Sequence, residues 1–159
     1  MGEPRWLDER EDRAWRGYRR MRRLLDLELA RELMQDAGLS EPDYDVLSDL
    51  SETPDQRLRL SELADRMLWS RSRLSHHLTR MQQRGLVTRE ECPSDGRGAF
   101  VVLSPAGRRA IEAAAPGHVA AVRRHLIDLL TAEEVDALGA LTHRVVDRLS
   151  GRRTGRAEV

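Results

Sequence analysis

The chain has no lysine and one cysteine, Cys92, among its 159 residues, and aromatic side chains make up only 4% of it. A single cysteine excludes an intramolecular disulfide and fits a reducing compartment, so packing alone must hold the fold. With lysine missing, all 27 basic residues are arginine, which is read as the imprint of GC-rich coding more than of function. Net charge is missing too: 27 acids balance the arginines, so overall charge names no partner. No apolar run approaches the roughly 20 residues of a membrane span, and the opening Met1-Gly2-Glu3-Pro4-Arg5-Trp6 has no apolar signal region. A cytoplasmic location without a membrane partner is expected. The sequence also lacks a glycine-rich phosphate loop, a metal-ligand spacing and a nucleophile motif. An enzyme is therefore poorly supported, and neither a metal nor a cofactor is expected.

What is present is a chain 40% hydrophobic and 34% charged, long enough for one domain with attached helices. Its balanced charge is sorted along the sequence. Between Arg66 and Arg97, seven arginines face three acids; between Asp36 and Asp55 there are seven acids and no base. A neutral chain divided in this way can still present a phosphate-attracting face.

Residues 60–103 read as helix, turn, helix and charged β-hairpin. Ser61 opens a short helix, and Leu68-Trp69 is a connection tight enough to force a steep crossing with the next. Ser70 caps that second helix, Trp69 and Leu74 stand where a hydrophobic staple belongs, and Gly85 stands where a left-handed terminus belongs. At about 100° per residue, Leu74, Leu78 and Met81 form one stripe. Ser72, Ser75, His76 and Thr79 face away from it, flanked by Arg73 and Arg80. Short polar groups with guanidinium suit a helix that approaches base edges in the major groove of double-stranded DNA. The β-prone runs from Leu86 to Cys92 and from Ala99 to Leu103 enclose Pro93-Ser94-Asp95-Gly96-Arg97-Gly98, a turn composition that places an arginine between two glycines. The candidate DNA contacts are Ser70, Arg71, Ser72, Arg73, Ser75, His76, His77, Thr79, Arg80, Arg89, Asp95 and Arg97.

Both ends of the chain read as helical. A first helix carries Trp15, Tyr18, Met21, Leu25, Leu29 and Leu33 on one stripe and stops at Gly38. Ser40 to Asp43 marks a second start, with Tyr44, Leu47 and Leu50 on the buried side. After the hairpin, Ser104-Pro105 opens a helix that Pro116-Gly117 either kinks or breaks. Thr131 to Glu134 opens a last one, with Val135, Leu138, Leu141, Val145 and Leu149 aligned. The expected division is an N-terminal dimerisation helix at 8–38, a winged helix-turn-helix domain at 40–104, C-terminal dimerisation helices at 105–150 and a disordered tail at 151–159. The fold class is mainly α with a small β-hairpin wing. The terminal stripes exceed what so small a reading domain can cover, so a homodimer is expected to bury them.

Taken together, Leu60-Ser61-Glu62-Leu63-Ala64, the run Ser70 to Met81, Arg84-Gly85-Leu86-Val87, Asp95-Gly96-Arg97 and Leu103-Ser104-Pro105-Ala106-Gly107 resemble the MarR family of bacterial transcription regulators. The resemblance spans about Trp15 to Leu149. It implies a homodimer that binds a pseudo-palindromic operator, usually represses, and is often released by a small aromatic or phenolic anion. It further implies that Arg97 is the minor-groove arginine and that Asp95 steadies the wing.

Plainer roles compete at several positions. Trp15, Tyr18, Arg22 and Tyr44 are candidates for an effector pocket between the dimer helices and the reading domain, although core packing accounts for aromatics more often. Cys92 reads as a small strand residue rather than an oxidation sensor. His76-His77 belongs to the reading helix rather than to a metal site. His118, His125 and His143 read as surface or interface groups. The rival to a DNA-binding regulator is a winged-helix protein-interaction module that has lost DNA binding. Arg73, Arg80 and Arg97 argue against it, because such a module has no use for a basic reading face.

Overall fold

In a computed structural model describing residues 4–91 and 98–154, helices dominate and a small antiparallel sheet sits among them. The elements are α1 (Glu9–Ala37), α2 (Glu41–Ser51), β1 (Arg57–Arg59), α3 (Leu60–Arg66), α4 (Arg71–Gln83), β2 (Val87–Glu91), β3 (Ala99–Leu103), α5 (Pro105–His125), a turn of 3-10 helix (Ile127–Leu129) and α6 (Ala132–Thr154). The sheet order is β1-β3-β2, with Leu58 opposite Val101 and Arg89 opposite Val101 on the other side. This is a winged helix-turn-helix arrangement, as the sequence led us to expect. Its third strand, β1, runs over Arg57-Leu58-Arg59 and pairs with β3. Cys92, Asp95 and Arg97 lie outside the described residues.

Local signals explain most helix ends. Asp8 with Glu11 and Ser40 with Asp43 form capping boxes, each satisfying backbone donors in both directions. Thr131 and Glu134 do the same at the start of α6. Gly38 closes α1 at φ 64°, a conformation glycine adopts without steric cost. At α3 the expectation fails. The helix begins one residue before Ser61, and its cap, Arg59, makes no side-chain hydrogen bond, because the strand β1 delivers the chain directly into the first turn. The turn that follows uses Leu68 at φ 56°, closed by Leu68 N donating to Asp65 O at 3.2 Å and Trp69 N to Ala64 O at 2.9 Å. This is a Schellman closure with leucine where glycine is usual. Its two bonds fix how α3 leads into α4.

Two further expectations are resolved. Pro116 neither breaks nor ends its helix: α5 runs unbroken from Pro105 to His125, since proline removes one backbone bond and long flanks carry the rest. The last helix continues to Thr154, past the expected limit at residue 150, for Gly151 is followed by helix-forming arginines and no proline.

The chain divides into two compact units, Met1–Ala120 and Ala121–Val159. The first holds the core. Val46, Leu47 and Leu50 of α2, Leu63 of α3, Leu74, Leu78 and Met81 of α4, and Val101 of β3 are all fully buried. Each such side chain contributes roughly 1.5–3 kcal/mol of transfer free energy, so α4 is fixed along one whole face. On α1 only Leu33 is buried, while Trp15, Tyr18, Met21, Leu24 and Leu27 are exposed. On α6, Val135, Leu141, Val145, Val146 and Leu149 are exposed as well. No helix among the described residues is long and apolar enough to cross a membrane.

Candidate nucleic-acid interface

The buried stripe of α4 determines which residues face outward. Ser70 caps the helix, its hydroxyl accepting from Arg73 N at 3.2 Å. The far end closes on Gly85 at φ 73°, with Gly85 N donating to Gln82 O at 2.9 Å and Leu86 N to Met81 O at 3.0 Å. The exit is then locked to α5. Ser104 Oγ donates to Gly85 O at 2.6 Å and accepts from Gly107 N at 2.9 Å. Gly107 packs so closely on Leu86 O that a Cβ there would overlap the carbonyl.

Arg71, Ser72, Arg73, His76, Thr79 and Arg80 are exposed on α4, with Ser70 exposed at its start, while Ser75 is half-buried. No acid stands among them. The structure thus gathers most of the proposed contacts on one surface, but gives three of them additional or different partners. Arg73 lies with its guanidinium 3.7 Å from the centre of the Trp69 ring, folded back on the helix start. Arg89 reaches from β2 to donate to Ser75 O at 2.5 Å and to Thr79 Oγ1 at 3.2 Å. It therefore braces the sheet against α4, because a charge-assisted bond to a mid-helix carbonyl fixes the angle between the two.

His77 is the clear correction. Named with the exposed contacts from sequence, it is only 7% exposed. Its position, three after Leu74 and four before Met81, places it on the buried face. Its Nε2 lies 3.1 Å from Asp43 Oδ1, off the line of an ideal hydrogen bond, and its ring packs nearly perpendicular to that of Trp69, with centroids 5.6 Å apart. Its Nδ1 lies 3.1 Å from Arg80 Nη2.

Asp43 itself was legible only as a capping acid. It is 3% exposed, accepts from Ser40 N at 3.0 Å and takes Arg84 Nη1 at 2.7 Å. Arg84 Nη2 also donates to Gly38 O at 2.9 Å. The carboxylate thus joins the start of α2 to the side and end of α4, and Arg84 carries the link on to the end of α1. Burial pushes the Asp43 carboxyl up, but hydrogen bonds from Arg84 and Ser40 outweigh it and hold it below the usual carboxylate range. Burial lowers the His77 imidazole, helped by Arg80 and Arg84, and Asp43 only partly opposes them. Near neutral pH the pair is a carboxylate beside a neutral imidazole.

The four candidate effector residues fall into separate pairings. Trp15 and Tyr18 stack at 5.8 Å on α1, while Tyr44 packs on His118 at 4.3 Å; Arg22 is exposed. A surface cavity of about 390 Å³ on α1 is lined by Arg16, Arg19, Arg20, Arg23 and Leu24, none of them among the four.

Known proteins carry the same arrangement. The MarR family pattern matches residues 37–98, which include α2, β1, α3, α4 and β2. The transcriptional regulator HosA of Escherichia coli is 28% identical over 134 residues, covering 83% of this chain and 96% of HosA. AbsC, a MarR family transcriptional regulator from Streptomyces coelicolor, is 43% identical with a TM-score of 0.89, over 93% of this chain and 99% of AbsC. Sco3205, another MarR family regulator from Streptomyces coelicolor, solved in complex with DNA, is 43% identical with a TM-score of 0.89, over 92% of each chain. Identity at this level across nearly whole chains, on a shared helix-turn-helix and sheet, makes this chain a member of the MarR family of transcriptional regulators.

Proposed function

We propose that the chain is a homodimeric repressor that places α4 of each subunit in successive major grooves of a pseudo-palindromic operator. The observation that carries this reading is the exposed face of α4. Ser72, His76, Thr79 and Arg80 stand together without an acid, on a helix buried along its opposite side. Short polar groups permit close approach to base edges, and the guanidinium offers paired donors to guanine. Sco3205, 43% identical, was solved in complex with DNA, which supports DNA as the partner. Arg71 at the helix start and Arg97 between the strands are proposed as phosphate and minor-groove contacts.

The exposed apolar side chains of α1 and α6 support a dimer, since a lone chain would leave these stripes in water. A small aromatic or anionic ligand is proposed as the effector; the stacked Trp15 and Tyr18 rings, with Arg22 one turn further along α1, support a site on that helix, whereas Tyr44 packs on His118 instead. A mobility shift with the region upstream of the chain's own gene, at two salt concentrations, tests the function. Binding that weakens steeply with salt is expected; an absent or salt-insensitive shift would favour a protein-interaction module.

A further inference from the structure

Resting on the reading of α4 above, we propose that His77 is a positioning residue for Arg80. The buried imidazole, set by Asp43, holds the exposed guanidinium in the orientation used for a base contact. Three observations lead there. First, Asp43 is tied down by Ser40 N and Arg84, so its second oxygen, Oδ1, is left to face His77 Nε2 at 3.1 Å. A carboxylate only accepts, so the ring nitrogen beside it carries the proton. Second, a neutral imidazole with its proton on Nε2 leaves Nδ1 as an acceptor. Arg80 Nη2, which can only donate, lies 3.1 Å from that Nδ1. The Arg80 contact therefore selects one tautomer and one direction of donation, and the carboxylate beside Nε2 favours the same proton position electrostatically, although it is not aligned as a hydrogen bond. Third, the ring is enclosed among its neighbours. His77 is 7% exposed, and its ring packs nearly perpendicular to that of Trp69, at 81°.

The consequence concerns a long exposed side chain. Free arginine on a helix samples many rotamers and loses them on binding, whereas one tethered at a guanidinium nitrogen from beneath arrives already aimed. Arg80 retains its other donors for the bases. The groups facing His77 are Asp43 from α2, and Arg80 and Arg84 from its own helix.

The test measures the ratio of operator to non-specific affinity, with folding checked by denaturation, for Arg80→Ala, His77→Leu, His77→Asn and the combination of His77→Leu with Arg80→Ala. His77→Leu keeps the volume and removes the acceptor; His77→Asn restores an acceptor near the Nδ1 position. The ratio is expected to drop about tenfold in His77→Leu, to recover in His77→Asn, and to fall no further in the combination than in Arg80→Ala alone. If Arg80→Ala leaves the ratio unchanged, the assignment of the reading face fails. If Arg80→Ala lowers it while His77→Leu does not, or the two effects add, the positioning role is overturned. Nitrogen NMR of the wild-type imidazole decides the case even where His77→Leu does not fold. A proton on Nε2 and an acceptor Nδ1 are expected, and the opposite tautomer would overturn the proposal.

Discussion

Replacing Asp43 with alanine removes the buried carboxylate that ties the start of α2 to α4 through Arg84 and His77. The side chain is 3% exposed and takes Arg84 Nη1 at 2.7 Å and Ser40 N at 3.0 Å. A charge-assisted hydrogen bond contributes about 1.5–3 kcal/mol. That from Arg84 belongs at the lower end, because Arg84 is 44% exposed and water compensates it when the partner is lost. Losing the capping box costs roughly 1 kcal/mol more, and His77 is left facing a gap. The sum is a loss of about 2–4 kcal/mol, with Asp43→Asn costing about half as much, since the amide can still accept from Ser40. Urea denaturation at fixed protein concentration reads this as a lower midpoint at unchanged slope. A loss below about 1 kcal/mol for the alanine variant would refute the claim that this carboxylate fastens α4.

Gly107→Ala would force a Cβ into Leu86 O; a loss of about 1–3 kcal/mol is expected, and an unchanged melting temperature would show that the α4 exit is not held by this contact. His77, whose pKa is lowered in the fold, makes stability depend on pH. Above its ordinary value of 6.5 both states bind no proton there, and as pH falls below 6.5 the unfolded chain takes one up first. Stability is thus expected to fall with acidification by at most about 1.4 kcal/mol per pH unit from this group, a slope that His77→Asn should abolish in denaturation curves measured from pH 7.5 to 5.5. Glutamate at both Leu138 and Leu141 of α6 is expected to give monomers in sedimentation with weakened operator binding, since each would hold one half-site; a variant that stays dimeric would contradict the assembly.

Much of this molecule was legible because its signals are local. Capping boxes at Ser40 and Thr131, glycines at 38 and 85, and the alternation of leucines on α4 each act within four residues, so sequence spacing reveals them. What was hidden depends on distance. Arg84 meets Asp43 across 41 positions, and Arg89 meets Ser75 through the placement of a strand, relations no spacing rule can state. His77 is the intermediate case. Its position between Leu74 and Met81 announced burial, but its polarity suggested solvent; helical geometry was the better guide. At Pro116 the reverse held, and residue identity overstated a break that length easily spans.

The central claim is that the exposed face of α4 reads DNA sequence. Competitive titration of wild type against a variant with alanine at Ser72, His76 and Arg80, using operator and unrelated duplex of equal length, tests it most directly. The account predicts that the variant loses most of its preference for operator while its affinity for unrelated duplex changes little, because base contacts specify and phosphate contacts do not. A variant that keeps the full wild-type preference would contradict it.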